Sequence, residues 1–332
     1  MRSTHLAAAL FLIASIAPRL FAQPADDDVR GTITKSLRLL EKSAATYTEH
    51  RQCFSCHHQA LPALALVEAK KHGFAVNDKE LARQLKFTAD FLGKNRANYE
   101  QGKGQGGQAD TAGYALLMLH TGGWEADATT SAVIEYLLLR DKERGYWQNT
   151  SNRPPTEASP FTTTYLGLAA FKNFGPASKN DAIKPRIDKA RQWLLTAKPK
   201  DNEDRVFRLR ALKLAGADAK AIQSAADQLA NMQRDNGGWS QIDTIYPDPY
   251  ATGTALVALH QVGGWSVKDE RYQRGLAFLL DTQKDDGSWH VRSRSKPFQL
   301  YFESGFPHTK DQFISIAATS WATMALTLST AN

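Results

Sequence analysis

Cysteine is nearly absent. The 332 residues hold two, Cys53 and Cys56, so a zinc framework of two Cys or His pairs lacks its second half. No thiol stands near the N-terminus to take a lipid. Strand-like alternation is scarce, which argues against a sheet protein. Beyond residue 22 no apolar run is long enough to cross a bilayer. The formal charge is +7, yet the basic residues are scattered. With no basic tract, the sequence reads as a protein that does not bind nucleic acid, its charge serving solubility and mild attraction to anionic surfaces. The glycine-rich stretch at residues 100–108 is followed by no Lys-Ser/Thr and preceded by no strand, so it reads as a flexible connection and not a phosphate cradle.

What is present begins with an export pattern. Residues 1–22 read as a secretory signal, with Arg2 in the n-region and a short apolar stretch at residues 6–17. Cleavage after Leu20-Phe21-Ala22 leaves residues 23–332 as a single domain in the periplasm or outside the cell, with no membrane-spanning segment once the signal is removed.

Helical periodicity dominates the remainder. Charged, amphipathic helices are expected near 31–48, 79–97, 128–141, 186–198, 219–233 and 270–283. Runs rich in Ala, Thr and Leu alternate with them near 59–72, 110–120, 161–173, 204–215, 251–262 and 312–328. Six such pairs predict an all-α fold, a six-hairpin α/α toroid, the small-residue helices lining the centre. Gly122-Gly123 and Gly263-Gly264 end two of the inner helices in the same way. The pattern is an internal repeat, and its clearest part is Gln233-Arg-Asp-Asn-Gly-Gly-Trp239, copied in Gln283-Lys-Asp-Asp-Gly-Ser-Trp289. Asp and Asn form the turn and Gly permits positive φ. The Gln amide reaches backbone groups of a neighbouring helix end, and Trp covers the junction. Arg140-Asp-Lys-Glu-Arg-Gly-Tyr-Trp147 is a third copy without the Gln.

These turns resemble the glutamine–tryptophan repeat of the terpenoid cyclase and protein prenyltransferase superfamily, seen in squalene–hopene cyclases and prenyltransferase β-subunits. The resemblance implies the same toroid, and it implies that the rim bearing the turns opens onto a cavity for an isoprenoid or other hydrophobic ligand. It does not carry the chemistry over. The Asp-x-Asp-Asp-Thr cluster that protonates the alkene in squalene–hopene cyclases corresponds to Asp248-Pro-Tyr-Ala-Thr252, where Tyr250 and Ala251 replace two acids. Asp248 and Tyr250 are the catalytic candidates that remain, and a phenol is a poor alkene acid. Asp243 and Asp110 lie near other inner-helix starts without forming a cluster. The prenyltransferase zinc set, an Asp and a Cys on one inner helix with a later His, is missing.

Cys53-Phe-Ser-Cys56-His57-His58-Gln59 carries a second signal. C-x-x-C-H is the attachment pattern of c-type haem: two thiols reach two vinyl groups and the adjacent imidazole meets the iron. Cys53, Cys56 and His57 are then the cofactor residues, and His308, at the start of the last inner helix, is the preferred second axial ligand. His58 and His290 are alternatives. The same residues also suit a Cys53–Cys56 disulfide in an oxidising compartment or a zinc site with His57 or His58. Cys56-His-His-Gln59 further resembles the Cys-Gly-Glu-Gln of complement-like thioester domains in its Cys-to-Gln spacing. The leading expectation is an exported toroid with haem c at its mouth, exchanging electrons with a redox partner protein. The alternative is a non-redox terpenoid-cyclase-like or hydrophobic-ligand-binding protein. Residues 289–311, basic and then aromatic, are expected to fold over the mouth.

Overall fold

The structure, a computed structural model, describes residues 26–296 and 300–330. The expected signal at residues 1–22 lies outside the described residues, as does Phe298 of the aromatic loop. The described chain forms α1 (Asp26–His50), a π-helical turn (Cys56–Ala60) continuing into α2 (Leu61–Lys71), α3 (Asp78–Lys94), α4 (Arg96–Glu100), α5 (Gln108–Thr121), α6 (Ala128–Leu139) and α7 (Pro160–Phe174). It continues through α8 (Asn180–Thr196), α9 (Asn202–Leu214), α10 (Ala219–Ala230), α11 (Pro249–Gln261), α12 (Glu270–Thr282) and α13 (Gln312–Thr327). No described helix is long and apolar enough to cross a membrane.

The inner helices α2, α5, α7, α9, α11 and α13 pack side by side, and α13 returns to α2, so the ring closes as an α/α toroid. The outer helices α1, α3, α6, α8, α10 and α12 surround it. Small side chains allow the inner contacts. Gly253 on α11 faces the Trp321–Ala322 backbone of α13, where an added Cβ would come within 2.8 Å of the Ala322 nitrogen. The inner helices are buried almost all round, which is why they read as apolar runs without a clear stripe, whereas outer helices such as α3, α10 and α12 bury one face.

The repeated turns use one set of bonds. Trp147, Trp239 and Trp289 are fully buried. Each donates its indole N–H to the carbonyl ten residues earlier, at the end of the preceding outer helix: Leu137, Leu229 and Leu279, at 2.9, 2.9 and 2.7 Å. Each backbone N–H is received by a threonine of the following inner helix, Thr164, Thr252 or Thr319. The glutamines tie the turn to the next outer helix: Gln233 donates to Arg271 O at 2.7 Å, and Gln283 to Thr32 O at 2.9 Å. Gln283 therefore fastens the last repeat to the first. The acceptors lie in the first turns of the next helix, where a carbonyl has a spare lone pair.

The third copy lacks the glutamine and does not lack the tie. Arg186 of α8, itself buried, donates to the Arg140, Asp141 and Arg144 carbonyls and lies over the Trp147 ring at 4.2 Å. One guanidinium from the next outer helix does what the amide does in the other turns. Arg186→Met keeps the apolar stem and removes these bonds. It should cost about 2–3 kcal/mol in denaturant unfolding, the usual range for bonds to a charged donor. A cost below about 0.5 kcal/mol, as for an ordinary surface change, would mean that the turn holds itself.

Candidate functional site

The inner helices all begin at one rim, and their first turns carry buried polar side chains, Asp110, Thr162, Thr163, Glu203, Asp204 and Thr252 among them. At α2 the opening is a reciprocal cap. Ser55 Oγ accepts the His58 N–H at 3.2 Å while Gln59 Oε1 accepts the Ser55 N–H at 2.9 Å. This cap and the wide π turn fix Cys56 and His57 facing inward. Gln59 also donates to Gln84 at 3.0 Å, so its amide is held by Ser55 and Gln84, as an ordinary structural side chain.

Cys53 and Cys56 are not bridged in this structure and have different neighbours. Cys53 is exposed, its Sγ 3.3 Å from Tyr47 Oη. Cys56 is buried, its Sγ 3.5 Å from Glu157 Oε1. His57 places Nδ1 3.8 Å from the same oxygen and Nε2 2.8 Å from Thr156 Oγ1. Glu157 is paired through its other oxygen with Arg153. Arg153 and Glu157 exchange backbone bonds across a tight loop, and this loop aims Thr156 and Glu157 at the start of α2. Burial pushes the Cys56 thiol well up, with the Glu157 charge adding to it, and pushes His57 down.

The described parts of the loop after Trp289, on both sides of residues 297–299, make contacts at the rim. Ser304 bonds His58 Nε2 at 2.9 Å, Arg294 bonds Gln241 at 3.0 Å, and Phe302 packs on Tyr47. His58 is fully buried between Tyr47 and Phe313, and desolvation lowers its pKa to about 3. His308 sits in another group. Its Nε2 is 2.7 Å from Ser288 Oγ, and its ring stacks at 4.6 Å on His290, which bonds Asp311. These bonds hold His308 and His290 at the foot of α13.

A second cluster lies on the neighbouring inner helices. Glu203, in the first turn of α9, is 2% exposed. It accepts from Thr162 of α7 and from Tyr250 of α11, both at 2.9 Å. Burial raises its pKa to about 8. Asp110 of α5 accepts from Thr163 at 2.5 Å and is raised by burial to about 7. Asp248 caps α11 by accepting the Ala251 N–H at 3.0 Å, and burial raises it to about 6. The two catalytic candidates read from the sequence thus separate: Asp248 works as a helix cap, and Tyr250 as the donor to a carboxyl on the neighbouring inner helix α9. One to two turns below Glu203, Phe207 and Arg210 of α9 reach Trp321 of α13, with ring centroids 6.3 Å apart and the guanidinium 5.5 Å from the indole. These side chains join α9 to α13 below the rim.

Glu157, Thr156, Arg153, Glu203 and Thr162 were not singled out by the sequence. For Glu203 a signal existed in Asp201-Asn-Glu203-Asp204, an acidic group opening an inner helix. For Glu157 there was none, since its partners lie a hundred positions earlier.

Comparison with known proteins agrees with this architecture. The squalene-hopene cyclase C-terminal domain profile matches residues 204–327. A squalene–hopene cyclase of Bradyrhizobium diazoefficiens is 32% identical over 108 residues, 29% of this chain and 15% of that protein. Lanosterol synthase erg7A of Aspergillus fumigatus is 24% identical over 311 residues, 91% of this chain and 34% of the synthase. The chain thus spans about a third or less of these relatives. The type II terpene cyclase MstE from Scytonema is similar in structure, with a TM-score of 0.59 in complexes with its substrate geranylgeranyl dihydroxybenzoate and with its product merosterolic acid A. Identity is 12% and 13%, over 91% of this chain and 98% and 97% of the cyclase. At that identity the likeness shows the cyclase-like toroid fold and nothing finer.

Proposed function

We propose that the chain is a terpenoid-cyclase-like protein that admits a hydrophobic, isoprenoid-class ligand at the rim and acts on it with Glu203 as the acid. The observation that carries this reading is the Thr162–Glu203–Tyr250 group. The stretch that carries the acids in cyclases has a tyrosine here in the central position, and that tyrosine hydrogen-bonds a carboxyl supplied by the adjacent helix. With its pKa near 8, Glu203 is mostly a neutral acid at pH 7, able to give a proton. So raised an acid protonates a bare alkene poorly and an oxygen far better. The favoured substrate is therefore an isoprenoid carrying an epoxide or carbinol oxygen.

The test is incubation of the purified protein with linear isoprenoids, with and without a terminal epoxide, followed by product analysis. The expected result is epoxide opening, slower by about 10²–10⁴ in Glu203→Gln, the usual weight of a general acid. The hydrocarbon should bind and emerge unchanged. Equal rates in the parent and the variant, or no binding of either ligand, would refute the reading.

A second reading keeps the C-x-x-C-H motif as a covalent haem site, with the protein passing electrons to a redox partner. This reading rests on the spacing of the motif alone, two thiols three positions apart with an imidazole directly after the second. Cys53 and Cys56 would hold the porphyrin, and His57 would meet the iron through Nε2. The residues present fit by chemical type and not by room: Thr156 Oγ1 stands 2.8 Å from that nitrogen, so the residue 153–157 loop has to leave. The haem, when bound, supplies one-electron chemistry. His308 as its second axial ligand would have to give up Ser288. Both readings place the protein outside the cytoplasm, on the export pattern of residues 1–22, and N-terminal sequencing of exported material tests that cleavage.

A further inference from the structure

We propose that Cys56, His57 and Glu157 form an open mononuclear site for a divalent transition metal, with zinc the best match. This rests on no part of the isoprenoid reading. Nothing in the sequence linked Glu157 to the C-x-x-C-H motif, and the ligand a zinc site lacked there is supplied by the loop before α7. The donor atoms lie within 4.8 Å of one another, with Sγ and Nδ1 at 3.5 and 3.8 Å from Glu157 Oε1. Zinc bonds of about 2.0–2.3 Å in a tetrahedron set donors about 3.3–3.7 Å apart. Closing the group on an ion therefore takes movements below about 1 Å.

The surroundings are those of a metal site. A ligating histidine commonly fixes its tautomer by donating its other N–H to an oxygen. Thr156 Oγ1 stands at that nitrogen, leaving Nδ1 to the ion. Arg153 holds the second oxygen of Glu157, so the first is presented in one orientation. Phe313 meets the His57 ring edge-on at 5.9 Å and dries one side of the site. A thiolate, an imidazole and a carboxylate select zinc or a similar ion over magnesium or calcium. Three protein ligands leave a fourth position for water or a ligand oxygen at the rim, the open form of zinc site.

The site differs from the prenyltransferase pattern, because its Cys and His are adjacent at the first inner helix and its acid comes from the loop before the third. It is an alternative to the haem reading, because the Cys56 sulfur cannot be both a thioether to a porphyrin and a thiolate to the ion.

The test titrates the full exported chain, reduced and freed of metal, with Co²⁺ and then Zn²⁺. The expected result is one equivalent of cobalt with a thiolate charge-transfer band, displaced by zinc. Cys56→Ser and Glu157→Gln should each weaken binding by roughly a hundred-fold, and Thr156→Val by about tenfold through the tautomer. Cys53→Ala should retain the band. Circular dichroism reports whether each variant folds, and Thr156→Val carries the test if the ligand variants do not. The proposal is overturned if no band forms, if Cys53→Ala removes it while Glu157→Gln keeps it, or if both cysteines carry covalent haem.

Discussion

Raising the pH from about 5 to about 9 should shift the stability difference between the parent and Glu203→Gln by on the order of 4 kcal/mol, in favour of the variant. The sign follows from where the proton sits. The Glu203 carboxyl has an ordinary pKa of 4.5 and is raised by burial to about 8 in the fold. Above about pH 4.5 the unfolded chain releases its proton while the folded chain keeps it, so each further rise in pH favours unfolding. The stabilisation is complete below the unfolded pKa, fades as the pH climbs, and is gone once the folded group ionises near 8. Glutamine has no proton to lose, and it can still accept from Tyr250 and donate to Thr162. Asp110 and Asp248 pull the same way, whereas His57 and His58, with lowered pKa values, pull the opposite way below about pH 6.5. Those groups are common to both proteins, so the difference between the two denaturation curves isolates Glu203. Parallel pH profiles would show that water reaches this carboxyl in the native state. They would remove the neutral acid from the functional argument as well.

That carboxyl also marks where the sequence stopped being informative. The toroid was legible because its signals are local and repeated. A tryptophan after a glycine-bearing turn, an amphipathic run before it and a run of small residues after it recur, and the described helices fall within a few residues of those runs. The third turn was legible as a copy although its glutamine was gone, since the Trp147 indole keeps the same bond to a carbonyl ten positions back. The compensating Arg186 was not, because it comes from the next repeat.

The site behaves like Arg186. Its partners come from different repeats: Cys56 with Glu157, Glu203 with Tyr250, His58 with Ser304. A motif such as C-x-x-C-H names donors and says nothing of what faces them. The acids at the inner-helix starts look alike in sequence, and burial with its hydrogen-bond partners separates the cap Asp248 from the neutral Glu203. His308 shows the converse. Its place at the foot of the last inner helix was read correctly, while Ser288 and His290 claim its imidazole.

Trp289→Ala should lower stability by about 3–5 kcal/mol, the range for deleting a fully buried large aromatic, and should also loosen the rim chemistry. Locally, the substitution opens a cavity and leaves Leu279 O without its donor, 2.7 Å away. The position adds a second cost, because this turn is where the ring closes. Gln283 of the same turn holds Thr32 of α1, and Gly287, at φ +86°, lies so close to α1 that an added Cβ would stand 2.8 Å from the Lys35 carbonyl. Trp239→Ala removes the same indole contact, to Leu229, from a turn that joins two neighbouring outer helices inside the ring. If the toroid is held chiefly by its closure, Trp289→Ala costs more than Trp239→Ala, and it also weakens cobalt binding, because α2 and its capped Cys56 pack on the α13 that follows Trp289. Equal costs with unchanged metal affinity would mean that each turn stabilises only its own repeat. The measurement is a pair of denaturant curves at fixed pH with a cobalt titration of each folded variant. A loss confined to about 1 kcal/mol in Trp289→Ala would refute the view that these tryptophans are the joints of the ring.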